Sequence, residues 1–230
     1  MLDLLWLLGA VVVYGAPLKL ALAAGALLAS HGPRVWAPAL GCLAGFFVFL
    51  VSLILVVGVF RLILPSVPTG TYPMRSVKAL RFYLQHGLKG YISSTFLIRV
   101  IHHLSIFRTL YYWVMGAKYS PSAFVGLDAE LHDPSLIEVG DRVFIGEGAH
   151  IYGHMVMDGR LHVAKVRIGP KAMVGAHTLV GPGVEMGEGA QVAACSAVPA
   201  GTRIGPGELW LGSPAKKVKR LGGIRGQVLQ

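Results

Sequence analysis

Two long apolar runs open the chain, from Leu4 to about Ala29 and from Val35 to Leu64, separated by Ser30-His31-Gly32-Pro33-Arg34. Each exceeds the roughly 20 helical residues needed to cross a hydrocarbon core, so the pattern predicts a transmembrane helical hairpin over residues 1–64. A cleavable leader fits less well, because the first run is too long and lacks a basic start. Between Pro65 and Ser120, Leu, Phe, Tyr, Ile and Trp are interleaved with bases at helical spacing, as in R-F-Y-L-Q-H-G-L-K. That predicts amphipathic interfacial helices over 65–120, apolar face toward lipid, with His102 and His103 at the interface.

Beyond residue 121 the period changes. An aliphatic residue followed by a small or turn-forming one recurs at Val125-Gly126, Val139-Gly140, Ile145-Gly146 and Ile151-Tyr152, then every six positions from Ile168-Gly169 to Ile204-Gly205. The fifth place of the later units is also small or β-branched: Ala172, Thr178, Val184, Ala190, Ser196 and Thr202. This is a short-period solenoid, a parallel β-helix over 121–215 followed by a basic tail at 216–230. First and fifth places face inward, because side chains alternate along a strand, and three units make one triangular turn. Residues 18 apart then stack on neighbouring rungs, roughly 4.8 Å apart.

The count fails between Met157 and Ile168, which are 11 residues apart. Either two units occur with one residue deleted, or one unit carries a five-residue protrusion within D-G-R-L-H-V-A-K-V-R. The Asp158-Gly159 pair favours a turn, hence the protrusion. On that count His154, His177 and Cys195 occupy the same outward place three units apart and form a column on one face.

Composition sharpens the picture. Of 230 residues, 54% are hydrophobic and 14% charged, which suits a chain with a membrane portion. Ten of the 11 acidic residues lie between Asp128 and Glu208, whereas 65–120 carries seven Lys/Arg and no acid, so the +10 net charge belongs to the flanks. The positive-inside rule puts both termini and the β-helix on the cytoplasmic side of a multi-pass membrane arrangement. Lys19, deep in the first span, is read as snorkelling or facing a helix partner, with a substrate-lining role as the alternative. A nucleic-acid partner is disfavoured, because the basic aromatic segment is joined directly to the membrane hairpin. Cys42 and Cys195 offer neither a disulfide framework nor a C-x-x-C metal spacing.

The repeat and the C-terminal G-S-P-A-K, Gly212 to Lys216, resemble the hexapeptide-repeat, left-handed β-helix acyltransferase family. The resemblance is closest to the membrane-attached transferase-like module of Pls/PosA-type peptide synthetases. It rests on P-T-G-T-Y-P with the following R-F-Y-L, on M-G-A-K, and on G-H followed by an Asp and V-R-I-G, across roughly residues 65–215. It implies a homotrimer, a cleft between subunits and an acyl-coenzyme A or acyl-carrier thioester as co-substrate, with no metal. His154 would then be the general base, since an imidazole with an unperturbed pKa near about 6.5 can accept a proton from a hydroxyl or amine. Asp158 or Glu147 would orient its second nitrogen. His177, Lys171, Lys216 and Lys217 become candidates for binding the donor, with a lipid-facing tail as the alternative for the lysines; His150 and His162 flank the site.

The function so implied is a membrane-embedded acyltransferase, moving an acyl group (acetyl most simply) to an O- or N-nucleophile on a membrane-associated or lipid-linked acceptor. Two alternatives stand beside it. One is a γ-carbonic-anhydrase-like zinc enzyme using His150, His154 and His177, although its ligand spacing differs. The other is a non-catalytic trimeric membrane scaffold.

Overall fold

The structure, a computed structural model, describes residues 2–64 and 66–218. The described residues divide into two compact units, one within 2–67 and 74–115, the other within 68–73 and 116–218.

In the first unit, helices α1 (Leu2–His31) and α2 (Ala37–Ile63) are long and apolar enough to cross a membrane. They pack side by side through small residues. A Cβ added at Gly41 would lie 2.6 Å from the Gly25 carbonyl oxygen, so the two backbones can approach only because neither position carries a side chain. Lys19 is exposed on α1. Helix α3 (Val77–Ser93) starts where the Ser76 hydroxyl accepts the Ala79 amide at 3.1 Å, an N-cap. It buries Ala79, Phe82 and Ile92 and exposes Leu80, Tyr83 and Leu84. Helices α4 (Leu97–His103) and α5 (Ser105–Val114) follow, the latter burying Tyr111 and Tyr112 and exposing Ile106 and Trp113. His102 departs from the interfacial expectation: it is buried and hydrogen-bonds Tyr112 Oη at 3.1 Å, whereas His103 is exposed.

The second unit is a parallel β-helix of three faces. The first face stacks Lys118–Tyr119, Ile137–Val139, Val166–Ile168, Glu185–Met186 and Arg203–Ile204. The second stacks Phe124–Val125, Phe144–Ile145, Met173–Val174, Gln191–Val192 and Leu209–Gly212, and the third Glu130–Leu131, His150–Ile151, Leu179–Val180 and Ala197–Val198. Inward places stack as the repeat predicts: Val125, Ile145, Val174 and Val192 fill one side of the core, Leu131, Ile151, Val180 and Val198 another. Fifth places Ala172, Thr178, Val184, Ala190 and Ser196 are buried beside them. Two of these are polar and both are satisfied, Thr178 Oγ1 donating to the Ala193 carbonyl at 3.0 Å and Ser196 Oγ accepting the Gly212 amide at 3.1 Å.

Two boundaries shift. The coil begins at Lys118 rather than 121, and Gly70–Pro73, expected within the helical shelf, is a strand of the second unit. Its register with Arg160–Val163 supplies the backbone partners that helical spacing alone did not foresee. Residues 219–230, most of the expected basic tail, lie outside the described residues.

The C-terminal end closes by reversal: Ala215–Lys217 pairs antiparallel with Leu209–Gly212, covering the last rung. Glu208 anchors this closure. Its carboxylate accepts from Lys217 Nζ at 2.6 Å, Trp210 Nε1 at 2.9 Å and the Gly205 amide at 3.0 Å. These bonds, Lys217 foremost, lower its pKa from 4.5 to about 2. A carboxylate with a depressed folded-state pKa contributes stability above its ordinary value and loses it as pH falls through the folded one. Amide exchange at 209–217, corrected for its intrinsic pH dependence, is expected to accelerate as pH drops from about 4.5 toward about 2. Glu208→Gln should show that acceleration already at neutral pH and little further change across the window.

Candidate active site

The coil loses its six-residue count twice, and both losses fall at the corner between the third and first faces. Glu130 pairs with His150, 20 residues on, where Leu179 pairs with Ala197, 18 on. The two-residue excess is taken up by Asp133 and the short 3-10 turn Pro134–Leu136. One coil later His150 pairs with Leu179, 29 residues on, so eleven residues are looped out. They form an antiparallel hairpin, His154–Met157 with Arg160–Val163, turned by Asp158 and Gly159. Both turn residues have positive φ, as a two-residue type I′ turn requires. Gly70–Pro73 adds a third strand, with Thr71 Oγ1 and His162 Nδ1 hydrogen-bonded at 2.9 Å.

The shared corner sets Asp133 against the hairpin's first residues. Asp133 is buried, and one carboxylate oxygen, Oδ2, receives two bonds: the Gly153 amide at 2.9 Å and His154 Nδ1 at 2.6 Å. A buried carboxylate is tolerable when hydrogen bonds replace its hydration, and here they also fix the imidazole's orientation. The His154 side chain keeps 19% of its surface exposed, so the ring is held from within and accessible from without. Gly153 is required by the same approach. A Cβ there would lie 2.7 Å from Leu136 Cβ and 3.1 Å from Asp133 Cβ.

Beside this pair, on the outer side of the third face, Tyr152 meets the His154 ring edge-on at 6.5 Å and stacks on His132 at 4.1 Å, 6° from parallel. Burial, with the nearby carboxylates of Glu130 and Asp133, pushes the Tyr152 phenol above its ordinary pKa, so it stays protonated at neutral pH. His132 Nε2 and His150 Nδ1 are hydrogen-bonded at 3.0 Å.

Several expectations are corrected by this geometry. The carboxylate set on the His154 ring is Asp133, not Asp158 or Glu147. Asp158 lies at the hairpin tip, a four-residue strand or about 13 Å away along the backbone. Glu147 sits at the corner before His150, where its carbonyl accepts the His177 amide at 2.8 Å. The expected column is also absent. Cys195 does follow His177, its amide bonding the Ala176 carbonyl at 2.8 Å, but His177 stacks over Gly148 at the corner between the second and third faces. His154 occupies the next corner, because the interruption is eleven residues long rather than five. Among the donor candidates, Lys171 Nζ is paired with Glu188 at 2.5 Å and Lys217 Nζ with Glu208 at 2.6 Å, while Lys216 is exposed. Asp133 left one readable signal: Val125 and Val139 are 14 residues apart, two more than a pair of six-residue units.

No protein-family model matches the chain. A stretch of 183 residues, 80% of the chain, is 26% identical to a delta-poly-L-ornithine synthetase of Acinetobacter baumannii, covering 13% of that protein. Over 89 residues, 39% of the chain, it is 34% identical to a putative acetyltransferase, YvoF, of Bacillus subtilis, covering 51% of it. The chain thus spans a small part of the first relative and about half of the second. Among solved structures, a maltose O-acetyltransferase from Clostridium difficile aligns with a TM-score of 0.46 and 16% identity, over 66% of this chain and 93% of that one. The chain is thus similar in sequence to part of a delta-poly-L-ornithine synthetase and to about half of a putative acetyltransferase, and its coil is built of the six-residue units that its sequence repeats.

Proposed function

We propose that the chain is an acyltransferase that carries an acyl group, acetyl in the simplest case, from coenzyme A or a carrier thioester to a hydroxyl or amine. The observation that carries this reading is the buried Asp133 carboxylate holding His154 Nδ1 at 2.6 Å where the hairpin leaves the coil. With Nδ1–H donated to Asp133, Nε2 is the lone-pair nitrogen that can accept a proton. It takes that proton from the acceptor as the acceptor's oxygen or nitrogen attacks the thioester carbonyl. The tetrahedral intermediate collapses with cleavage of the C–S bond, and the imidazolium returns the proton to the leaving thiolate. Asp133 stabilises the transient imidazolium, a role that needs a buried, already desolvated carboxylate. Lys216, exposed on the closing strand, is available to a donor's phosphates.

Three finer features complete the proposal. The coil is left-handed, as the family likeness implies. Helices α1 and α2 anchor it in a bacterial inner membrane with the coil cytoplasmic, which favours acceptors confined to that surface through raised effective concentration. The coil assembles as a trimer through its second face. That face exposes Phe124 and Phe144, stacked 5.0 Å apart, in line with Met173, an apolar strip of the kind partners cover.

His154→Ala is expected to lower transfer from labelled acetyl-coenzyme A to membranes carrying the protein by on the order of 10²- to 10⁴-fold. Asp133→Asn should fall on the same side by roughly 10²-fold, mainly in kcat. Undiminished labelling with His154→Ala would sink the catalytic reading and favour a membrane scaffold. Gly153→Ala, which must push Leu136 or Asp133 aside, should cost about 1–3 kcal/mol of stability. Phe144→Glu should convert the detergent-solubilised trimer to single chains in light scattering; a wild-type protein that is already monomeric would remove the trimer.

A further inference from the structure

The third face carries a second cluster of chemistry that acyl transfer does not use. Glu130 and His132 flank inward-facing Leu131, Glu130 within the short strand and His132 just past its end, and both are part-exposed. His150 is the in-register neighbour of Glu130 one rung on. The result is that His132 Nε2 lies 3.0 Å from His150 Nδ1 and 3.8 Å from Glu130 Oε2, and one donor atom from each of the three residues lies within 4.8 Å of the other two. All three residues are half-buried. Tyr152, stacked on His132, limits rotation of that imidazole.

We propose that Glu130, His132 and His150 form a binding site for a divalent transition-metal ion, Zn²⁺ foremost. Bonds of about 2.0–2.2 Å to imidazole nitrogen and carboxylate oxygen put neighbouring donors of a tetrahedral ion about 3.3 Å apart, between the two separations the residues already have. Two nitrogens and one oxygen are the donor set that a borderline ion prefers over Mg²⁺ or Ca²⁺, which take oxygen. The three donors come from one chain, leaving a fourth position for water. In the metal-free protein one ring's N–H faces the other ring's nitrogen; on binding the donor ring gives up that proton to solvent and takes one on its other nitrogen, so that both neutral imidazoles present a lone pair to the ion. No sequence spacing announces this site, because its ligands are brought together by stacking of rungs. It stands apart from the Asp133–His154 pair and does not depend on acyl transfer.

The test is Zn²⁺ titration of the full chain in detergent, after chelator treatment and desalting, against a competing chromophoric chelator. One Zn²⁺ per chain is expected, with a dissociation constant below about 1 μM, as suits a preformed three-ligand site. Since loss of an outer-shell partner alone costs roughly 10- to 100-fold in affinity, His132→Ala and His150→Ala should each weaken binding by at least about 100-fold. His150→Gln, which keeps volume and a polar head, should do the same in a chain whose circular dichroism is unchanged. His154→Ala and His177→Ala should leave the constant within about twofold, as residues outside the ligand set. Co²⁺ in place of Zn²⁺ should give the intense visible bands of a four-coordinate ion. Absence of stoichiometric binding, binding that survives both His132→Ala and His150→Ala, binding abolished by His154→Ala, or a weak six-coordinate Co²⁺ spectrum would each overturn the site.

Discussion

Everything in the second unit depends on register. A narrow triangular core holds only so much, and each inward residue must sit over the one below it, so the backbone of every rung fixes that of the next. Residues in excess of the repeat cannot be absorbed on a face; they have to leave at a corner. Here the excess of two around Asp133 and the excess of eleven after Gly153 leave at the same corner on successive coils. Stacking then does the rest. The first excess supplies a buried carboxylate, the second an imidazole, and neither is displaced, because the regular rungs on either side hold both ends in place.

What the sequence made legible follows from the same constraint. Inward positions could be read because burial imposes a period, and fifth-place residues such as Ala172 and Val184 are as buried as the repeat demands. His154 stood out because it precedes the failure of the count. Its partner did not stand out, because a two-residue excess between Val125 and Val139 is a weak irregularity among single letters. The length of the protrusion could not be read either, since a strand hairpin such as Met155–Val156 against Leu161–His162 has the same alternation as the coil it interrupts. Misjudging that length turned His154 by one corner and created a column with His177 that the fold does not contain.

The same limit applies ahead of the coil. Gly70–Pro73 lies among bases and aromatics that read as one amphipathic stretch, yet it pairs by backbone, and backbone pairing leaves little trace in side-chain pattern. His102 looked interfacial for its neighbours in sequence, whereas Tyr112, ten residues on, is the partner that lets it be buried. In the helical unit the legible feature was length and apolarity. Less legible was the closeness of α1 and α2, which follows from Gly25 and Gly41 facing each other. Charge was legible in bulk but not in detail: acids concentrated in the coil are largely matched across rungs, as Glu185 is by Arg167 and Arg203.

The two corner excursions also dictate how such a chain can change in length. Adding or removing one six-residue unit would rotate everything downstream to a different face, separating residues that now meet; only a whole coil of three units leaves the angular positions unchanged. Between Val166 and Ile204, where the coil is regular, the molecule can therefore grow or shrink in whole turns, deepening or shortening its outer wall while the corner above Asp133 stays as it is. Between Glu130 and Val166 it has no such freedom, because there the departures from the period are what set Asp133 against His154.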